Sequence, residues 1–199
     1  GLGIMYLYGY YPKKDYEKAF QYFKTAFELS EDDSIGYISV QYITNAMEEI
    51  AENEKGKKYY IEYMDFLLEN ELWPLYITVA YQYGSGDIYP KDKKKMLEYL
   101  RIAADHDIEH AYECLGEAYF LGEIVERDYE KAYEFFMKAN ENCSNMKTYY
   151  LGEMYRQGII FEKDIEKAKE FYRSITEDEQ ADELEDEYYC KALERLEEI

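Results

Sequence analysis

Ala111-Tyr112-Glu113-Cys114-Leu115-Gly116-Glu117-Ala118-Tyr119-Phe120-Leu121-Gly122, followed after a short gap by Asp128-Tyr129-Glu130-Lys131-Ala132, is the stretch that decides the fold. Its markers return thirty-six residues later as Leu151-Gly152, Tyr155, Gly158, Asp164 and Lys167-Ala168. They stand thirty-six residues earlier as Val79, Tyr83, Gly86, Asp92 and Lys95, with Met96 in the alanine place. They open the chain as Leu2, Gly3, Tyr6, Gly9, Asp15, Lys18 and Ala19. Seven of the 11 glycines fall on just two repeat positions, so the periodicity is built in and marks a repeat architecture.

Counting from the leucine as position 0, each marker has a physical task. Positions 0, 1 and 4 share one face of a short first helix. Glycine at position 1 has no Cβ and lets a neighbouring helix approach, with Ala80 taking that place in the third copy. Glycine at position 7 suits the left-handed residue that ends a helix. Aspartate at position 13 is placed to cap the second helix. That helix then shows apolar residues at positions 17, 20, 21 and 24, as in Ala132, Phe135, Phe136 and Ala139 or Ala168, Phe171, Tyr172 and Ile175. This is one helical stripe, so each repeat is an antiparallel helix pair. Lysine at position 16 falls in the first helical turn, where the dipole disfavours it; packing of its stem over a tyrosine would account for it.

The pattern predicts about five repeats in one domain spanning residues 1–199, at about 1–30, 33–70, 73–106, 108–142 and 145–176. The second lacks the Gly and Asp markers but keeps apolar positions at Ile43, Met47, Ile50, Tyr60, Tyr63, Met64 and Leu67. A capping helix is expected over about 179–199, with Leu184, Tyr188, Ala192, Leu196 and Ile199 as its apolar stripe. Stacked pairs of this kind make an α/α solenoid in which each repeat buries its face against its neighbours.

Composition agrees. Leu, Ile, Val and Phe make up only about a fifth of the 199 residues, but 26 tyrosines supply the missing core material. No apolar run is long enough for a membrane span. The formal net charge of -21 repels nucleic acid, so neither nucleic acid nor membrane is an expected partner. Cys114, Cys143 and Cys190 are odd in number and far apart, which fits a reducing compartment and cytoplasmic localisation. Residue 1 is Gly, which reads as a processed form or a fragment, and a removed leader is compatible with that. Ile4, Met5, Tyr6, Leu7 and Tyr8 predict an exposed apolar face at the front of the array, covered by upstream sequence or by a second copy in a homodimer.

With these markers in place, the chain resembles the Sel-1-like repeat family, relatives of tetratricopeptide repeats, over everything except the capping helix. The resemblance implies an all-α, right-handed α/α solenoid of bacterial type and a protein-binding adaptor whose first helices line a concave face. Cysteine-rich members of that family, discussed as β-lactam binders or hydrolases, resemble a scaffold with one disulfide per repeat, which this chain lacks.

Chemistry-bearing clusters each have a plainer explanation. His106 and His110 stand among Asp105, Asp107, Glu109 and Glu113, but they straddle an inter-repeat loop in which Asp107 is expected to cap, so no metal site is assigned. Gly84-Ser85-Gly86 resembles a nucleophile elbow, yet Gly86 is the helix-ending glycine and no strand precedes it. No catalytic residue and no cofactor is expected. Helical geometry together with the resemblance points positions −2, +2 and +5 of the first helices into the concave face. These are Ile77, Tyr81, Glu113, Glu117, Phe120, Tyr149, Glu153 and Arg156. Aromatic rings beside carboxylates suit a protein or peptide partner carrying Lys or Arg. The acidic stretch Glu177 to Glu187, with eight acids in eleven residues, is either a solvated connector or a docking strip. The expected function is therefore a non-enzymatic interaction scaffold; the alternative is a small-molecule-binding or hydrolytic protein using the groove as a pocket.

Overall fold

The computed structural model describes residues 2–10, 13–29, 44, 51, 53–139, 144–177 and 186–199. The described elements are helices: α1 (Leu2–Tyr8), α2 (Tyr16–Glu28), α3 (Glu54–Glu69), α4 (Leu75–Ser85), α5 (Lys93–Asp105), α6 (Glu109–Leu121), α7 (Tyr129–Lys138), α8 (Asn145–Gln157), α9 (Ile165–Thr176) and α10 (Glu187–Glu198). Among the described residues there is no strand, and the fold is an all-α repeat fold. No described helix is long and apolar enough to cross a membrane. Two compact units are present, Gly1–Met96 and Leu97–Ile199.

In the first unit α1 packs on α2, α2 on α3, and α3 on α4. Leu7, Ala19, Phe23, Tyr60, Tyr63, Met64 and Leu67 form its interior. The anticipated first helix of the second repeat, with Ile43, Met47 and Ile50, lies outside the described residues, as does Cys143. Of the five residues expected to form an exposed apolar face on α1, Leu7 is fully buried, Ile4, Tyr6 and Tyr8 are half-buried, and Met5 is 37% exposed, so the open face is smaller than the sequence pattern suggested.

In the second unit α6 pairs with α7 and α8 with α9, while α10 packs on both α9 and α8. One core joins them, built from Phe120, Phe136, Tyr149, Tyr150, Met154, Tyr172 and Tyr188 around Ala132, Ala168 and Ala192. Its aromatic share explains how a chain poor in aliphatic residues folds. Phe136 stacks on Tyr150 at 5.5 Å, and Phe120 meets Tyr150 at 4.8 Å.

The repeat markers have the same duties in the four copies that carry them. Gly9, Gly86, Gly122 and Gly158 carry φ between 70° and 86°, so position 7 needs the left-handed backbone. The Asp at position 13 closes the loop twice. Its N–H donates to the carbonyl of the position-4 tyrosine, as in Asp128 to Tyr119 and Asp164 to Tyr155, both at 3.0 Å. Its carboxylate accepts the N–H of Lys18, Lys95, Lys131 or Lys167 three residues on. The position-16 lysine then swings over the position-4 ring. Lys18 stands 5.2 Å from the Tyr6 centroid, Lys95 4.9 Å from Tyr83, Lys131 5.5 Å from Tyr119 and Lys167 4.3 Å from Tyr155. The tyrosine face, and in two copies the cap carboxylate (Lys131 to Asp128 at 2.9 Å, Lys18 to Asp15 at 3.9 Å), give the ammonium partners that oppose the unfavourable helix dipole there. A position-20 ring stacks on the same tyrosine in Tyr6–Tyr22, Tyr119–Phe135 and Tyr155–Phe171.

Two boundaries differ from the sequence reading. The last helix begins at Glu187 rather than near 179, because the Asp186 carboxylate accepts the N–H groups of Tyr188 and Tyr189 and starts the helix there. Leu184 and the acidic residues 178–185 lie outside the described residues. Asp107 does not cap α6. The cap is Ile108, and Asp107 adopts φ 56°, a left-handed turn that aspartate tolerates, with its carboxylate accepting the Tyr112 hydroxyl at 2.8 Å.

Candidate interaction surface

The eight residues singled out on the first helices divide by unit. In the first unit α4 carries Ile77, which is buried at 8% exposure, and Tyr81, which is 42% exposed. In the second unit α6 carries Glu113, Glu117 and Phe120, and α8 carries Tyr149, Glu153 and Arg156. Their arrangement differs from an open groove. Phe120 and Tyr149 are 8% and 6% exposed and belong to the core, and Ile77 is equally enclosed. Glu113 and Glu153 are buried as well, at 7% and 4%. The expectation that all eight stand open to a partner is corrected on this point: neighbouring helices of the chain itself cover most of them.

Glu153 is the hub of the surface. Its Oε1 accepts Arg156 Nε at 2.9 Å, Tyr172 Oη at 2.8 Å and Arg195 Nε at 3.0 Å. Its Oε2 accepts Arg156 Nη2 at 2.7 Å and the Gln157 amide. Burial would raise its pKa, but the hydrogen bonds from Arg156, Tyr172 and Gln157 outweigh that and hold the carboxyl below its ordinary range. Burial opposes the charge of Arg195, yet Tyr149 and Glu153 beside it, with Glu198, leave its pKa above the usual guanidinium value.

Glu117 is the second acceptor. Its Oε1 takes the Tyr150 hydroxyl at 2.7 Å and the Tyr188 hydroxyl at 2.6 Å. Burial, then the Glu117 carboxylate, pushes both phenols above the ordinary tyrosine value and favours the protonated, donating form. The Tyr188 ring also meets Tyr149 at 5.8 Å and Tyr150 at 5.9 Å. Asn145, opening α8, donates to Asp186, which caps α10.

These contacts add two residues on α10 to the eight: Tyr188, which the sequence placed only on the apolar stripe of the capping helix, and Arg195, which the sequence reading missed. Register could have found the second. The cap residue precedes position 0 by seven in α6 (Ile108) and α8 (Ser144), and the same offset from Asp186 puts Leu193-Glu194 in the Leu-Gly place. Arg195 then falls at +2, the position of Glu117 and Glu153. α10 thus takes the role of a further first helix, with a glutamate where a second helix would need glycine.

Among the described residues no group of three His, Cys, Asp or Glu is placed to hold an ion. His110 instead pairs with Glu113, Nδ1 to Oε2 at 3.0 Å, and also interacts with Cys114 one turn on. Cys114 and Glu113 together push the His110 pKa up to about 10. Ser85 is a turn residue whose hydroxyl donates to the Gln82 carbonyl at 3.4 Å and accepts the Asp87 N–H.

A model of the Sel1 repeat matches residues 1–31, 79–108, 110–142 and 148–177, well over half of the chain. The chain belongs to the Sel1 repeat family. Sel1 repeats generally serve as protein–protein interaction modules. Among solved structures, the chain is similar to c5321, a protective antigen present in uropathogenic Escherichia coli strains and displaying an SLR fold, with 25% identity and a TM-score of 0.57. That match covers 86% of this chain but 36% of the antigen, so the present Sel1 chain spans little more than a third of that relative. The chain is also similar in fold to a Sel1 repeat protein from Oxalobacter formigenes, with 22% identity, a TM-score of 0.61, and 90% and 71% of the two chains covered. No curated protein matches the chain.

Proposed function

We propose that this Sel1 repeat protein is a non-catalytic scaffold that captures a protein or peptide bearing basic residues on the face of α6 and α8 in its second unit. The observation that supports this is the matched use of Glu117 and Glu153. Both stand at the same repeat position, and both take polar donors from a helix far along the sequence. A face that holds a Tyr- and Arg-bearing helix within one chain has the chemistry to hold such a helix from another. The chain's charge of -21 adds long-range attraction for a cationic partner. The odd, widely spaced cysteines favour a reducing compartment, the cytoplasm, as the place of action.

The test is affinity capture with the intact chain at low and moderate salt, followed by titration of each captured protein in purified form. A partner with a basic segment, whose affinity falls as salt rises and falls again with Glu117→Gln, is the expected result. A set of metabolites that raise the melting temperature, with no macromolecule retained, would overturn the reading in favour of a small-ligand pocket.

A further inference from the structure

α10 is held by apolar and polar groups together: Tyr188 and Ala192 belong to the core, and Tyr189, Leu196 and the terminal Ile199 pack against it half-buried. Of its twelve residues only Tyr188 and Ala192 are buried, while Leu193 is 42% exposed. By contrast α8, against which it packs, buries eight of thirteen. The polar ties run through Tyr188 to Glu117 and Arg195 to Glu153, two donors seven residues apart and so on one side of α10.

The receptor side is satisfied without them. With α10 removed, Glu153 keeps Arg156, Gln157 and Tyr172, and Glu117 keeps Tyr150. Undocking α10 therefore leaves no buried carboxylate without a donor, which is the usual large cost of opening a buried ion pair. The departing Arg195 and Tyr188 become hydrated, and Arg195 retains Glu198 at 2.7 Å.

α10 is also a poor electrostatic match for the rest of the molecule. Glu187, Glu194, Glu197 and Glu198, with Asp186 as cap, make it an acidic helix on an acidic chain. A helix with the same tyrosine and arginine but a basic outer face would make the same two contacts and be drawn in rather than repelled.

Resting on the functional reading above, we infer that α10 is a resident, displaceable occupant of the face built by α8 and α9 with Glu117 of α6 at its edge, and that the partner is a basic amphipathic helix presenting a tyrosine and, seven residues later, an arginine. Partner binding is then an exchange of helices. The intramolecular α10 sets a threshold that only a helix of better charge passes.

The probe is a synthetic peptide of residues 186–199 carrying Glu187→Lys, Glu194→Lys, Glu197→Lys and Glu198→Lys, added to the intact chain. Hydrogen exchange of the unliganded protein should show α10 amides opening about tenfold or more faster than those of α8. Adding the peptide should deprotect α10 further while protecting α8 and α9. Arg195→Ala in the protein should tighten peptide binding about tenfold, because the competitor is weakened, and Glu117→Gln should weaken it. Peptide forms with Tyr188→Phe or Arg195→Ala should bind less well.

The inference is overturned if α10 exchanges only with the global unfolding of α8, or if the peptide binds while α10 stays protected. It is also overturned if Arg195→Ala leaves peptide affinity unchanged, or if Arg195→Ala produces a dimer by trading α10 between copies. Capture of a basic protein partner with α10 still protected would leave the scaffold reading intact and remove this one alone.

Discussion

The ring of Phe136 fills the space that a side chain at Gly116 would need: a Cβ there would lie 2.5 Å from Cε1 and 2.6 Å from Cδ1. Phe136 is fully buried within the core, so a shift of its ring must displace other core side chains. Gly116→Ala is expected to destabilise the protein by about 1–3 kcal/mol through overpacking, despite the better helix propensity of alanine. Urea denaturation gives the number. Adding Phe136→Leu should recover part of the loss, and a strictly additive double variant would contradict the fit.

Glu153 supplies an acid-side dependence. Its folded pKa is depressed, so its contribution is present above the unfolded carboxylate value near 4.5 and is lost as pH falls through the lower folded value. Glu153→Gln is expected to cost about 1–3 kcal/mol at neutral pH, since Arg156, Tyr172 and Arg195 lose a charged acceptor. The variant should also show a shallower loss of stability below about pH 4.5 than the parent. Parallel acid titrations followed by circular dichroism compare the two.

His110 works in the opposite direction. Its folded pKa, pushed up to about 10 by Cys114 and Glu113, exceeds the ordinary 6.5. The stabilisation from the protonated ring is therefore complete below about pH 6.5 and disappears as pH rises towards 10. His110→Gln should remove this alkaline slope between those limits while leaving the acid limb alone. Direct titration of the imidazole by NMR gives an independent check, and a midpoint near 6.5 would refute the assignment.

Ile160 has φ 65° and is 43% exposed, a left-handed backbone on a β-branched residue that contributes little burial in return. Ile160→Gly should raise stability by about 0.5–1 kcal/mol, the relief of strain exceeding the added freedom of the unfolded chain. A fall in the melting temperature would argue against strain at this turn.

Removing a loop clasp should be felt locally. Asp164→Ala deletes the acceptor for the Lys167 N–H at 2.9 Å and is expected to cost about 1 kcal/mol. Faster amide exchange confined to the first turn of α9 is the expected signature. Asp164→Asn, which keeps an acceptor, should cost much less.

Much of this was legible in the sequence because the repeat markers do local jobs. Gly122 and Gly158 end helices, Asp128 and Asp164 start them, and Gly116 admits a ring, each fixed by residues within its own repeat. The face formed by Glu117 and Glu153 was also readable, since position +2 lies on one side of every first helix. What periodicity could not give was the occupant. Tyr188 reaches Glu117 across 71 residues, and helical spacing carries no information about pairs that far apart. The same blindness let Phe120 and Tyr149 pass for surface residues, although they pack against rings contributed by other elements, Phe120 on Tyr150 and Tyr149 on Tyr172 and Tyr188. Asp107 was misread because aspartate suits both a cap and a left-handed turn, and only the backbone distinguishes them.

The clasp of tyrosine, aspartate and lysine draws every one of its groups from a single repeat: Tyr155, Asp164 and Lys167 in one case, Tyr119, Asp128 and Lys131 in another. Nothing in the joint is borrowed from next door. A gene that duplicated or dropped one thirty-six-residue block would therefore carry every hinge across intact, with only the helix faces left to be refitted to new neighbours. Length, in such a protein, is inherited in whole steps, and selection on what the surface holds can act separately from selection on whether the chain bends back correctly.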